Sequence, residues 1–224
     1  MNLPDITILY EDAQILVCKK PAGIAVQSAR LSAPDMVSIL KNHLHQNSSS
    51  TTTEPYLAVI HRLDQPVEGV LVFAKTPFAA KELNKEMQNG GFGKHYHALV
   101  SEAPPKKQDT IEDYMVKDGR TNTSRICAKG VAGAKLARLT YQVIPQDHTS
   151  ESENDSTLLD ITLDTGRHHQ IRVQMAHMGC PIVGDQKYGI ISQSHVKTRL
   201  ALCAYKLEFH HPKTKKAMTF YYEE

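Results

Sequence analysis

His61-Arg62-Leu63-Asp64-Gln65-Pro66-Val67-Glu68-Gly69, followed by Val70-Leu71-Val72-Phe73-Ala74-Lys75, sets an ionisable cluster between two apolar runs. Tyr56 to Ile60 reads as one strand and Val70 to Ala74 as the next. Pro66 and Gly69 turn the chain between them. Asp64 is thus expected at a loop or strand end between two buried elements, a position that can hold a reactive side chain rigidly. On local chemistry alone the stretch reads either as a surface turn with an ordinary ion pair or as the seat of a nucleophile.

Toward the N-terminus, Ile15 to Cys18 is a short buried-strand signature after a polar turn at Glu11 and Asp12. Lys20-Pro21-Ala22-Gly23 breaks that run, and Pro34-Asp35 opens a helix carrying Val37, Leu40 and Leu44. Gln46 to Glu54 is almost entirely Asn, Ser and Thr and reads as a loop. Toward the C-terminus, Thr76-Pro77 starts a helix with Ala79, Leu83 and Met87 on one face, and Asn89-Gly90 stops it. Lys94 to Val100 alternates as a strand, with Tyr96 and Ala98 on one face and His95, His97 and Leu99 on the other.

Strands are then expected at Ile111 to Lys117, Ser124 to Lys129 and Lys135 to Ile144, an acidic loop at Gln146 to Ser156, and a strand through Leu159, Ile161 and Leu163. Arg167 to Met178 reads as a helix with Arg167, Ile171, Met175 and Met178 in one stripe, and His168 and Arg172 together on another. Strands Leu200 to Phe209 and Ala217 to Tyr222 close the chain. There is no steady βαβ rhythm, and neighbouring strands are joined by short turns. The expectation is an α+β fold with a largely antiparallel sheet, as a single domain of 224 residues whose two lobes share that sheet.

Composition narrows the class. The apolar fraction of 41% suits a globular protein. The first twenty residues are interrupted by Asp5, Glu11 and Asp12, so neither a signal peptide nor a membrane span is expected and the reading is cytoplasmic. Cys18, Cys127, Cys180 and Cys203 are scattered without metal-ligand spacing, so reduced thiols and no metal site are expected. Net charge is only +2, but Lys117 to Arg138 holds six basic residues against one acidic, while Asp147, Glu151, Glu153 and Asp155 gather the acid elsewhere. That segregation fits a basic face for nucleic acid as well as it fits ordinary solvated loops.

An ionised Asp can attack a sugar C1′, and in a partly dry site it needs a cation to stay charged. Arg62, Arg167 and Arg172 are the candidates, with His168 and His169 as further hydrogen-bonding groups. Arg172 would be an odd residue to bury unless something acidic meets it. Tyr96 reads as a stacking platform or phenolic acid/base, or as a core tyrosine. His168 and His169, facing different ways on a helix, make a poor metal pair.

Taken together the motifs resemble the RluA-type family of RNA pseudouridine synthases. The resemblance runs from Leu9-Tyr10-Glu11-Asp12 and Lys20-Pro21-Ala22-Gly23 through His61 to Asp64 and Gly69 to Lys75. It continues in Lys94, Tyr96, Ala98 and Val100, Arg167-His168-His169-Gln170-Ile171-Arg172-Val173, Gly179 to Asp185, and His211-Pro212. It implies a pseudouridine synthase fold with a mixed, mainly antiparallel sheet, flanking helices and a central cleft. It also implies a cofactor-free isomerase acting on uridines of ribosomal or transfer RNA, with RNA as partner, no membrane and a monomeric state.

Asp64 would be the nucleophile, Tyr96 would stack on the base and assist proton removal, and Arg172 would pair with Asp64. Arg62 would hold the site or fill the gap left by the extruded nucleotide, with His61, Arg167, His169 and Ile171 as further substrate-binding residues. A stacked uridine is out of reach, so the target must be extruded, and unpaired loops are the expected targets.

Three positions depart from the family's pattern. Val67-Glu68-Gly69 replaces the more usual Thr-Ser-Gly, and Gln174 stands where a His is frequent. Glu68 adds negative charge that could change selectivity or pair with a local base. Many relatives carry an N-terminal RNA-binding module, whereas this chain is expected to start at the catalytic domain. Readings from other classes are an inactive RNA-binding or ribosome-assembly protein and a glycosidase using Asp64 and Glu68.

Overall fold

A computed structural model describes residues 6–28, 33–47, 53–145, 156–189 and 199–222. The expected loop residues 48–52 and the acidic insert 146–155 lie outside them. In chain order the elements are β1 (Ile8–Glu11), β2 (Ile15–Lys20), α1 (Met36–Gln46), β3 (Ala58–Val59), β4 (Glu68–Ala74), α2 (Pro77–Gln88) and β5 (Gly93–Val100). There follow β6 (Gln108–Asp118), β7 (Thr123–Cys127), β8 (Lys135–Val143), β9 (Thr157–Leu163), α3 (Gln170–His177), β10 (Leu202–His210) and β11 (Ala217–Tyr221). The architecture is α+β, and the chain divides into two compact units. The first takes in the described residues up to Gly93 and from Ala204 onward, and the second is Lys94–Cys203.

In the first unit β1–β2, β2–β4, β3–β4 and β10–β11 run antiparallel, and β4 lies between β2 and β10. The runs Ile15–Cys18 and Val70–Ala74 are buried on both faces, which is why they read as continuous apolar stretches rather than as alternation. Ile15, Val17, Val70 and Val72 form one core with Ala79, Ala80 and Leu83 of α2 and with Phe92, Leu207 and Phe209.

Both helices of this unit start where their caps direct. Asp35 accepts the Ser38 amide while the Ser38 hydroxyl accepts the Asp35 amide, a complete capping box. Thr76 accepts the Ala79 amide ahead of Pro77. The expected strand Tyr56 to Ile60 shrinks to Ala58–Val59. β2 pairs along one edge of β4 from Gly69 to Ala74, and on the other edge β3 reaches only Phe73 and Ala74 because β10 takes the remainder.

In the second unit the strand order is β5-β9-β8-β6-β7, antiparallel throughout. One face is buried through Tyr96, Ala98, Leu159, Ile161, Leu139 and Tyr141, and α3 packs through Val173 on Met115 and Ala137. The expected helix Arg167 to Met178 begins three residues later, at Gln170. His169 precedes it in the left-handed conformation, with φ 56°. The Gln170 side chain fixes that turn, accepting from the Arg167 amide and the Thr165 hydroxyl and donating to the Arg138 carbonyl. Arg167 and His168 therefore lie off the helix. No amphipathic stripe exists, since Gln170 to Met175 are all buried.

Candidate functional site

Asp64 sits half-buried at the first position of a turn closed by the Val67 amide on the Asp64 carbonyl, 3.0 Å. Leu63 and Val67 anchor this turn in the interior. What locks it is the segment after β2. The Gly23 amide donates to the Gln65 carbonyl at 2.8 Å, and Gln65 Nε2 returns a bond to the Gly23 carbonyl at 2.9 Å. Gly23 takes φ 91°, a conformation suited to glycine.

Lys20 adds the charged part of the clamp. Its side chain is wholly buried, and Nζ donates to the carbonyls of Pro21, Gln65 and Val67, the last at 2.6 Å. A buried ammonium is tolerable when its donors are satisfied, and here two of those bonds end on the turn that carries Asp64. Lys20-Pro21-Ala22-Gly23 and Asp64 to Val67, distant in sequence, are one structural feature.

The neighbours of Asp64 differ in setting. Arg62 is exposed and makes no hydrogen bond or ion pair among the described residues. The His61 ring lies edge-on to Phe92, with Nε2 facing the Val72 amide at 3.4 Å. Glu68, the unusual acid, accepts the Tyr222 hydroxyl at 3.1 Å. Gly69 has φ 146°, and a Cβ there would collide with the side chain and backbone of Ala204.

In the second unit Tyr96 is 7% exposed on β5, opposite Ile161. Arg172 is buried and meets the acid that its burial requires: Nε and Nη2 each bond Asp185 at 2.7 Å. Asp185 also accepts the amides of Lys187 and Tyr188. Burial alone would raise its pKa, but the Arg172 contact and those amides hold it below the usual carboxylate range. The Tyr188 ring lies under the Arg172 guanidinium, 5.2 Å from its centroid.

Tyr188 also ties in the histidines. The Ser124 amide can only donate, so the Tyr188 oxygen accepts it at 2.8 Å, and the same hydroxyl hydrogen-bonds His169 Nδ1 at 2.7 Å. Burial first, then the charges of Arg172, His168 and Lys187, push the His169 pKa down to about 3, so the ring is neutral at pH 7. His168 and His169, expected to face apart, stack with centroids 3.7 Å apart because the left-handed turn at His169 brings the rings together. His168 Nδ1 meets the Ser124 hydroxyl at 2.9 Å.

Ile171 is buried on α3, and Arg167 donates through Nε to the Leu136 carbonyl at 2.7 Å. Gln174, where a His was the familiar residue, ties α3 to β6 by donating to Asp113 at 2.9 Å. The six basic residues from Lys117 to Arg138 are all exposed, but Arg138 is committed to Glu112 and Asp164.

Asp64, Arg62 and His61 thus belong to the first unit, and Tyr96, Arg167, His169, Ile171 and Arg172 to the second. Lys20, Asp185 and Tyr188 are the structural finds that sequence reasoning assigned no role. A lysine at the end of an uninterrupted buried run was the available signal for the first. No helix of the described chain is long and apolar enough to cross a membrane.

A family profile described as RNA pseudouridylate synthase matches residues 14–177. An uncharacterized RNA pseudouridine synthase of Helicobacter pylori is 29% identical over 220 residues, which is 96% of this chain and 65% of the relative. Ribosomal large subunit pseudouridine synthase D of Nitrosomonas europaea is 34% identical over 92% of this chain and 58% of its own length. The chain therefore spans somewhat less than two thirds of these relatives. Among solved structures, human RNA pseudouridylate synthase domain containing 4 shares the fold at a TM-score of 0.76 with 21% identity, covering 97% of this chain and 88% of that one.

Proposed function

The chain belongs to the RluA-type RNA pseudouridylate synthase family, and on that premise we propose that it isomerises uridine to pseudouridine in RNA with Asp64 as nucleophile. The observation that carries this reading is the clamp on the Asp64 turn. A buried ammonium and a glycine-led loop fix the backbone of the turn that follows one half-buried carboxylate. Such pre-positioning suits attack on a single carbon.

In the proposed reaction a carboxylate oxygen of Asp64 bonds to C1′ of the target ribose as the N1–C1′ bond breaks, leaving the uracil as an anion. The uracil turns, its C5 bonds to C1′, and the Asp64–C1′ bond breaks with return of the carboxylate. The proton on C5 is then lost and N1 gains one, so atoms balance without a redox partner. Tyr96 stacks on the base and assists removal of the C5 proton, and Arg172 is the cation that keeps Asp64 ionised. Arg62, exposed and uncommitted, is suited to occupy the space an extruded nucleotide leaves. His61, Arg167, His169 and Ile171 complete the substrate-binding set.

The substrate is proposed to be ribosomal or transfer RNA. Names such as ribosomal large subunit pseudouridine synthase D among the relatives make large-subunit RNA the first to try. The whole chain is read as one catalytic domain, acting as a cytoplasmic monomer. The test is incubation of the protein with unmodified ribosomal and transfer RNA transcripts, followed by chemical mapping of pseudouridine. Conversion at a defined uridine is expected. RNA binding without conversion would favour an inactive RNA-binding protein, and release of free uracil a glycosidase.

A further inference from the structure

Lys94 lies on β5 two residues before Tyr96, on the same face of the strand and about 6.6 Å along it. Its ammonium reaches the bend after β9, where a methyl group built on Gly166 would stand 3.6 Å from Nζ. Burial lowers the Lys94 pKa, Asp164 acts against that shift, and the neighbouring charge of Arg167 adds to it. Asp164 is itself engaged by Arg138 Nε at 3.0 Å. Among the described residues Lys94 makes no hydrogen bond and no ion pair. Arg167 spends Nε on the Leu136 carbonyl and has no carboxylate partner among them.

Two cations, Lys94 half-buried and Arg167 next to the Gly166 that its ammonium approaches, thus neighbour each other at the bend after β9, and Asp164, the acid that acts on Lys94, is engaged by Arg138. A desolvated ammonium in that state costs free energy, and an incoming anion with several acceptor oxygens offsets the cost.

We propose that Lys94 and Arg167 form a seat for one phosphodiester of the RNA strand, adjoining the nucleotide received by Tyr96. The proposal rests on the isomerase reading above and extends it by naming a backbone contact. It assigns Lys94 a binding role fulfilled by any fixed cation, in contrast to proton transfer, which a guanidinium cannot perform at neutral pH.

The experiment measures steady-state kinetics and salt-dependent binding on the transcript that the wild type converts, for wild type, Lys94→Met and Lys94→Arg. For Lys94→Met, KM is expected to rise about tenfold with kcat changed less than about threefold, as for loss of one charge-assisted contact. The slope of log affinity against log salt becomes shallower by about 0.7–0.9. Lys94→Arg keeps KM within about threefold of wild type.

A parallel measurement needs no variant: acetylation of Lys94 in the wild-type protein, followed by mass spectrometry, slows at least about fivefold when the transcript is bound, as a shielded amine should. Unchanged KM and slope in Lys94→Met, absence of RNA protection, or equal loss of kcat in both variants would overturn the seat while leaving the isomerase reading intact. Failure of the wild type to convert any transcript would overturn both.

Discussion

Asp185 grips Arg172 through two parallel 2.7 Å hydrogen bonds, with 1% of the Asp185 side chain and 5% of the Arg172 side chain exposed. The guanidinium is held in its plane by the carboxylate and on its face by the Tyr188 ring. Its orientation is therefore set within the second unit, by residues 13 and 16 positions downstream in a turn. A planar cation fixed in this way can present its remaining donors to a second anion without a search among rotamers.

Removing the Asp185 charge should be costly. In Asp185→Asn the buried guanidinium loses its counter-ion, and breaking such a pair from one side costs about 3–5 kcal/mol. Urea unfolding should show a loss of that order with an unchanged m-value. Turnover should fall more than RNA affinity, because Arg172 loses its orientation. A variant with wild-type midpoint and turnover would show that Arg172 needs no such holder.

Lys20 makes the corresponding prediction in the first unit. Lys20→Met retains the length of the side chain but leaves the Gln65 and Val67 carbonyls without their charged donor. The Gln65 carbonyl keeps the Gly23 amide, so the cost falls on the Val67 carbonyl, at about 1–3 kcal/mol. The protein should be destabilised by about 1–3 kcal/mol, with single-turnover rates reduced at least about tenfold through looser placement of Asp64. Normal turnover in a folded Lys20→Met protein would contradict the clamp.

These two residues also mark what the sequence could and could not disclose. α1 and α2 were legible because their caps are local: Asp35 with Ser38, and Thr76 with Pro77. β2 and β4 were legible because burial on both faces leaves an unbroken apolar run. α3 misled because a helix buried all round has no periodic stripe, and the left-handed His169 that delays its start carries no compositional sign. Lys20 and Val67 are 47 residues apart, so their bond has no local signature, and Lys20 read only as the end of a strand. Asp12 and His211, noted separately at the two ends of the chain, turn out to be partners at 2.9 Å.

Gly69 is the backbone counterpart of the clamp. Its φ of 146° and its approach to Ala204 leave no room for a side chain at the start of β4. Gly69→Ala should lower stability by about 2 kcal/mol or more, through strain and overpacking together. Thermal unfolding is the check, and a change below ~0.5 kcal/mol would mean the strand shifts freely to accept the methyl group.

The neutral His169 sets the direction of an acid effect. Its pKa is near 3 in the folded protein against 6.5 unfolded. Between those values the unfolded chain binds the extra proton, so stability is full above pH 6.5 and declines as pH falls toward 3, by up to ~1.4 kcal/mol per pH unit for one proton. Asp185, with its depressed pKa, loses its own contribution only below the usual carboxylate range. Unfolding free energy measured from pH 7 to pH 4 should fall with acid, and His169→Gln should flatten that slope. Parallel slopes for the two proteins would rule out the buried neutral imidazole.

The central claim is that Asp64 breaks and remakes the glycosidic bond. The direct measurement is pseudouridine mapping across total RNA from cells lacking the gene, complemented with wild type or with Asp64→Asn at equal protein levels. At least one uridine should stay unmodified in the deletion, regain pseudouridine with wild type and remain uridine with Asp64→Asn. Restoration of every site by Asp64→Asn would contradict the account.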